Sequence, residues 1–326
     1  MSPMRVLLTG ANTDLGRRVS ARLAENGVSV VAAGLTATAA ELRGVDVVVH
    51  LSAGDHDALA ARQTNAIAGL PEFLDHLGES GVRQLVLLSS AMVYGAWPNN
   101  PVPLTEDSAV RPDASFTFAH QLAQVEELVD AWGHGNEQRR VAVLRPVLWV
   151  ASSNPSSVVR ALAAGMGHRF GEDDAPAQFL HVDDLVEAVG RAVSCGLDGV
   201  FNIAPDHWVT GERVRALSGQ GPRIKVPDRV SDVIAHLSWR FQRGPLPPGL
   251  MPYLRHPWLV SNDRIRQTGW EPSVTNEQAY VEATEERWWT MLTPKRKQEL
   301  ALGAMVLAVI GAMVAVIGAV RRSRRA

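Results

Sequence analysis

The opening of the chain constrains its fold more than any other feature. An apolar run over residues 5–9 leads directly into a turn from Gly10 to Gly16, and a helical pattern over residues 17–26 then stops at Gly27. Strand-like runs recur at residues 28–33, 46–51, 84–89, 141–144 and 200–203, with helical patterns at 57–77 and 119–132 between them. Strands separated by helical crossovers must lie parallel. The alternation therefore predicts an α/β protein built on a doubly wound parallel sheet, with any ligand at the carboxyl ends of the strands.

Residues 151–179 and 206–290 break this rhythm and are richer in Pro and Trp. They are expected to form a small cap over the carboxyl edge of the sheet. The resulting division is a sheet domain over 1–205, with 151–179 as an insert, and a cap subdomain over 206–290. A juxtamembrane linker follows over 291–299, then an apolar segment over 300–320 and a basic tail over 321–326. The apolar segment runs from Leu300 to Val320 without a charge. As a helix rising about 1.5 Å per residue, it matches the roughly 30 Å hydrocarbon core of a bilayer. It is read as a single-pass transmembrane anchor, with the bilayer as its partner and the sheet domain in the cytoplasm. Arginines and lysines flank both ends, so charge does not set the orientation. Small residues at Ala304, Ala308 and Ala312, and at Gly311, Ala315 and Ala319, give a spacing that allows helices to pair. A homo-oligomer or a membrane-protein partner would use that spacing. The first residues lack a charged stretch followed by a long apolar run, so no secretory leader is expected.

With 46% apolar and 20% charged residues and a net charge of −2, the chain has a globular composition and no nucleic-acid-binding surface. A single cysteine, Cys195, forms no intrachain disulfide and suits a reducing compartment. Of the 32 basic residues only Lys225, Lys295 and Lys297 are lysines. Chemistry that needs an ammonium in the first 224 residues is excluded.

A glycine turn between a first strand and a first helix lets backbone N–H groups approach a pyrophosphate at the positive helix end. Thr9-Gly10-Ala11 with Leu15-Gly16, the strand Asp46-Val-Val-Val-His50-Leu51-Ser52-Ala53, and Asn65 are three such landmarks. Others are Ser89-Ser90-Ala-Met-Val-Tyr94-Gly95, Arg145-Pro146, His181-Val-Asp183-Asp184, Gly199-Val-Phe-Asn-Ile203 and Gly269-Trp270-Glu271-Pro272. In this order, over residues 4–285, they resemble the extended short-chain dehydrogenase/reductase family of the epimerase and dehydratase type. The resemblance implies a Rossmann-like sheet and a cleft for NAD or NADP. Cofactor contacts would fall at Gly10, Asn12, Thr13, Asp14, Leu15, Gly16, Leu51, Ser52 and Ala53. The implied ligand class is a nucleotide-sugar or lipid-linked substrate.

The chain departs from that family at three places. Family catalysis uses Tyr-x-x-x-Lys, in which the tyrosine exchanges a proton and the lysine lowers its pKa. The segment Phe118-Ala-His-Gln-Leu122-Ala-Gln-Val-Glu126 aligns with that helix and puts Phe118 and Leu122 at the two positions. Neither residue has a proton to exchange. Tyr94, Tyr253 and Tyr280 are the only tyrosines, and none has a lysine four residues on. His120 lies about 200° around the helix from Phe118 and points elsewhere. Second, the interval 35–45 is too short for the family's third strand and its adenine-side acid. Third, Gly34 stands where an acid or arginine would contact a ribose. His50, Asp55, His56 and Asp57 have residue types that bind metals, but a strand histidine followed by capping acids explains them, and no metal is expected. The leading expectation is a membrane-anchored, non-catalytic binding or scaffolding protein. Its rival is an NAD(P)-dependent epimerase or reductase using Ser90 and Tyr94.

Overall fold

In a computed structural model of the chain, the described residues are 3–51, 67–114, 116–151, 175–217 and 248–283. Six parallel strands form the main sheet: β1 Arg5–Thr9, β2 Ser29–Ala32, β3 Val47–His50, β4 Gln84–Leu88, β5 Arg140–Pro146 and, after two short strands, β8 Gly199–Ile203. Their spatial order is β2-β1-β3-β4-β5-β8. The order reverses at β1 and β3, and a doubly wound sheet opens its ligand crevice at that point. No strand lies between β2 and β3 among the described residues. As expected from the short interval, β2 is the edge. Residues 33–46 instead turn back over the sheet, burying Ala37, Leu42 and Val45 against Leu70, Phe73 and Leu77.

Side-chain alternation along the strands builds two cores at once. Val6 and Leu8, Val47 and Val49, Val86 and Leu88, and Ala142 and Leu144 face one side of the sheet. Leu7, Val48, Leu85, Leu87, Val141 and Val143 face the other. Helix α1 (Asp14–Glu25) covers the first side through Leu15, Val19 and Leu23. The opposite face is covered by α2 (Leu70–Ser80) and α3 (Thr117–His134).

Helix α1 begins at Asp14, three residues before the expected start. Thr13 supplies the N-cap: its hydroxyl accepts from the Gly16 N–H at 3.0 Å. Gly16 therefore sits inside the helix. Of the helix expected over 57–77, α2 accounts for the end, and residues 52–66 lie outside the described residues. A second, two-stranded sheet that sequence periodicity does not reveal pairs β6 (Leu148–Val150) with β7 (Phe179–His181). From β7 the chain enters α4 (Val182–Ser194), which packs on α1.

The described residues after β8 are tied to this body. The Asp184 carboxylate of α4 accepts from the Ser273 N–H at 2.8 Å and hydroxyl at 2.6 Å, and Trp270 Nε1 donates to the Asp184 carbonyl at 3.1 Å. Gln178 exchanges two hydrogen bonds with the Val260 backbone, at 2.9 and 3.1 Å. The described residues all fall within one compact unit, Met1–Ala283. The expected anchor at residues 300–320 lies outside the described residues. Among those described, no helix is long and apolar enough to cross a membrane.

Candidate functional site

Three segments converge where β1, β3 and β4 end. After β1 comes the Gly10–Gly16 turn. Gly10 has φ +72°, and a Cβ there would lie 3.3 Å from the Leu51 Cβ, so the turn packs directly on the residue that follows β3. A Cβ on Gly16 would lie 2.1 Å from the Gly10 carbonyl oxygen. Thr13 fills the middle of the turn; its hydroxyl donates to the Gly10 carbonyl at 2.7 Å while capping α1. Asp14 follows as the first helical residue. It is held by Arg18 Nε at 3.0 Å and Arg17 Nη2 at 3.2 Å. Asn12 is exposed, and its carbonyl accepts from Arg17 Nη1 at 2.8 Å. Gly10, Asn12, Thr13, Asp14, Leu15, Gly16 and Leu51 are thus gathered, whereas Ser52 and Ala53 lie outside the described residues.

At the end of β3, His50 is buried, with Nδ1 2.7 Å from the Thr9 hydroxyl and Nε2 without a partner among the described residues. Burial disfavours the imidazolium and lowers its pKa from 6.5 to about 4. The unfolded chain therefore binds a proton between pH 6.5 and 4 that the folded chain refuses, and stability is lost as pH falls through that window. Between about pH 8 and pH 5 the unfolding free energy is expected to fall by on the order of 2 kcal/mol from this group alone. Urea titrations of the wild type and of His50→Gln at both pH values check this. An equal acid response in the two proteins would remove His50 as its source. Asp55, His56 and Asp57 lie outside the described residues, among which no cluster of His, Cys, Asp and Glu could hold a metal.

After β4, Ser90 caps a 3₁₀ turn, Ala91–Tyr94, by accepting from the Met92 N–H at 3.2 Å. Tyr94 does not line an open cleft beside it, as the sequence suggested. Its side chain is fully buried and its hydroxyl is fixed on both sides, accepting from Arg145 Nη1 and donating to Asn202 Oδ1, each at 2.8 Å. Burial raises its pKa. Both contacts tie the phenol to the sheet, to Arg145 on β5 and Asn202 on β8. Sequence alone does not tell which way a residue on a single 3₁₀ turn projects.

Sequence reading also missed the charged centre that holds Tyr94. Arg145 on β5 donates to both Glu126 carboxylate oxygens, by Nε at 3.1 and 3.2 Å and by Nη2 at 2.5 Å, and the Ser89 hydroxyl also donates to Glu126. The Arg145 guanidinium carbon lies 4.8 Å from the Tyr94 ring centre. Both charges are almost wholly buried, Arg145 behind the apolar run 141–144 and Glu126 on the inner face of a helix whose Gln124, Glu127 and Asp130 are exposed. That placement is the signal available in the sequence.

Helix α3 packs on the 3₁₀ turn and carries Phe118 and Leu122. Leu122 is fully buried. Phe118, half-buried, starts an aromatic row with ring centres 5.9 Å apart for Phe118–Phe116, 5.6 Å for Phe116–Tyr253 and 5.4 Å for Tyr253–Trp258. Tyr253, on the helix Met251–Arg255, donates to the Met92 carbonyl at 2.6 Å. The aromatic row thus links the start of α3 to the Ser90 turn through Tyr253.

The family model of the NAD-dependent epimerase/dehydratases matches residues 6–204 of this chain, a range that runs from the second residue of β1 through the end of β8. The chain belongs to the NAD-dependent epimerase/dehydratase family. Among curated proteins it is 27% identical to an uncharacterized protein of Mycobacterium tuberculosis, over 85% of this chain and 82% of that one. Solved structures with the same fold include the human epimerase family protein SDR39U1 with NADPH, at TM-score 0.63 and 18% identity over 87% of this chain and 100% of that one. A Thermus thermophilus UDP-glucose 4-epimerase with NAD gives 0.61 and 18%, over 86% and 97%. A Thermotoga maritima UDP-glucose 4-epimerase with UDP-glucose gives 0.60 and 19%, over 89% and 100%. Within this fold, Gly10 and Gly16 pack the first turn closely, Ser90 caps the 3₁₀ turn, and Leu122 is fully buried.

Proposed function

We propose that this epimerase/dehydratase-family chain is a non-catalytic binding or scaffolding protein, tethered to a membrane through residues 300–320, with the sheet domain on the cytoplasmic side. The observation that carries the reading is the surroundings of Phe118 and Leu122. Leu122 is sealed in the core, and Phe118 stands in an aromatic row. Neither position offers a group that could exchange a proton. A lysine in place of Leu122, as the family pattern would have it, would bring an ammonium into a fully buried apolar site at high desolvation cost. The cap, residues 206–290, is read as the platform that a partner or ligand would meet.

Ser90 favours a second reading. Its hydroxyl accepts one hydrogen bond at the head of the 3₁₀ turn and keeps its own hydrogen to donate, as a substrate-orienting serine would. In that reading the chain is an NAD(P)-dependent epimerase or reductase for a nucleotide-sugar or lipid-linked substrate. Assays on the full chain in its membrane fraction separate the two. With UDP-glucose or UDP-galactose and each nicotinamide cofactor, we expect sedimentation with the membranes and no epimerisation or hydride transfer. Turnover that is lost in Ser90→Ala would establish the enzyme and end the scaffolding reading.

A further inference from the structure

We infer that the cap carries a binding site for a neutral sugar, built around the exposed indole of Trp208. The segment that leaves β8 and residues 272–277, at the start of the helix Asn276–Ala283, border a cavity of about 470 Å³. Small-ligand sites have volumes of roughly 300–1,000 Å³. Asp206, His207 and Trp208 line it from the first segment, and Pro272, Val274 and Glu277 from the second. Trp208 is 45% exposed, yet the loop that presents it is fixed. Gln178 Nε2 donates to the His207 carbonyl at 3.1 Å, Asn276 Nδ2 donates to the Asp206 carbonyl at 2.8 Å, and Val209 exchanges two backbone hydrogen bonds with Ala177, at 2.8 and 2.9 Å. Between these points His207 has φ +61°, the one positive value at a non-glycine among the described residues. An L side chain is strained there, and strain held by its surroundings gathers at ligand sites. An indole held this firmly loses little freedom when a ligand covers it.

The chemistry of the lining selects the ligand. Arg266 Nη1 donates to both Asp206 carboxylate oxygens at 2.6 Å, and Asn262 Nδ2 donates to one of them at 2.9 Å. Arg213, on the helix Gly211–Leu217, forks onto Glu277 by Nε at 2.7 Å and Nη2 at 3.0 Å. Each carboxylate is therefore matched by its own guanidinium, and a charged ligand would have to break a pair to gain one. A hydroxyl need not, because each Glu277 oxygen keeps a lone pair beside its bond to Arg213. Trp208 Nε1 and the His207 ring nitrogens make no hydrogen bond among the described residues, so they add donors and an acceptor to the rim. A flat apolar face ringed by hydrogen-bonding groups fits a pyranose, whose C–H face covers the indole while its hydroxyls meet the rim.

The inference rests on reading the cap as a platform for a ligand; sedimentation and turnover decide the non-catalytic reading, whereas titration decides the sugar, so either can fail alone. Isothermal titration of the full chain, solubilised in a detergent without a sugar headgroup, tests it with maltotriose, cellotriose, triacetylchitotriose and the anionic trigalacturonate. At least one neutral trisaccharide is expected to bind with a Kd of about 1 mM or tighter, and trigalacturonate at least about tenfold more weakly. Trp208→Ala, unfolding at the wild-type temperature, should weaken the neutral sugar by at least about tenfold. Trp208→Phe, which keeps a smaller aromatic face, should lose less, and a loss as large as that of alanine would overturn stacking as the source of affinity. No binding by any of the three neutral sugars, or equal binding by Trp208→Ala, would overturn the site. Trigalacturonate bound as tightly as the best neutral sugar would overturn the ligand class.

Discussion

Arg145→Leu is expected to destabilise the sheet domain by about 3 to 5 kcal/mol, the cost of leaving a buried charge without its partner. In the wild type the guanidinium meets both oxygens of Glu126 and the hydroxyl of Tyr94. Leucine fills part of the volume but leaves the Glu126 carboxylate with only the Ser89 hydroxyl and removes a donor from a fully buried phenol. The desolvation cost of the carboxylate is then uncompensated, and for a domain of this size the melting temperature should drop by roughly 10 °C. The pair itself need not add net stability, because taking two charges out of water offsets most of their attraction. That difference gives the experiment its control. In Arg145→Leu with Glu126→Leu the orphaned charge is gone, so the double variant should lose clearly less than the sum of the two single losses in urea titrations. Additive losses would mean that the two side chains do not interact as described.

Residue patterning reports which way a chain runs far better than which way a polar group points. Alternating apolar runs locate β1, β3, β4, β5 and β8 to within about two residues, because each strand buries both faces and tolerates no polar interruption. The missing strand beside β2 is legible from the length of the interval 35–45 alone, since no crossover fits there. Local hydrogen-bond choices are less visible. The sequence groups Thr13 with the cofactor contacts and starts the helix at residue 17, and only the geometry shows its hydroxyl capping α1 on the Gly16 N–H. Tyr94 and Arg145 each stand in a recognisable landmark, yet nothing in the spacing of 51 residues between them tells that they meet. The polar part of the site is assembled by contacts between distant segments. A reading built on local pattern assigns Tyr94 to the cleft for that reason.

Gly16→Ala is expected to cost at least about 3 kcal/mol, the upper range for forcing a methyl into filled space. The added Cβ would stand 2.1 Å from the Gly10 carbonyl oxygen, 2.7 Å from the Ala11 Cα and 2.9 Å from the Ala11 carbonyl carbon. All three are backbone atoms, so no side chain can rotate away, and relief requires α1 to lift from the turn. That movement would open the core under Leu15, Val19 and Leu23, which are buried to within 1% exposure. Gly34→Ala is the matched comparison: its Cβ would come no nearer than 3.7 Å to Thr36 Oγ1, and the effect should stay within about 0.5 kcal/mol. The contrast separates two reasons for a glycine at this place in the fold. A residue kept small only to admit a phosphate would tolerate a methyl in the ligand-free protein, and the two variants would unfold together. A residue kept small so that helix and turn can touch fails without any ligand, and a melting temperature for Gly16→Ala well below that of Gly34→Ala in the absence of nucleotide is the result this packing requires.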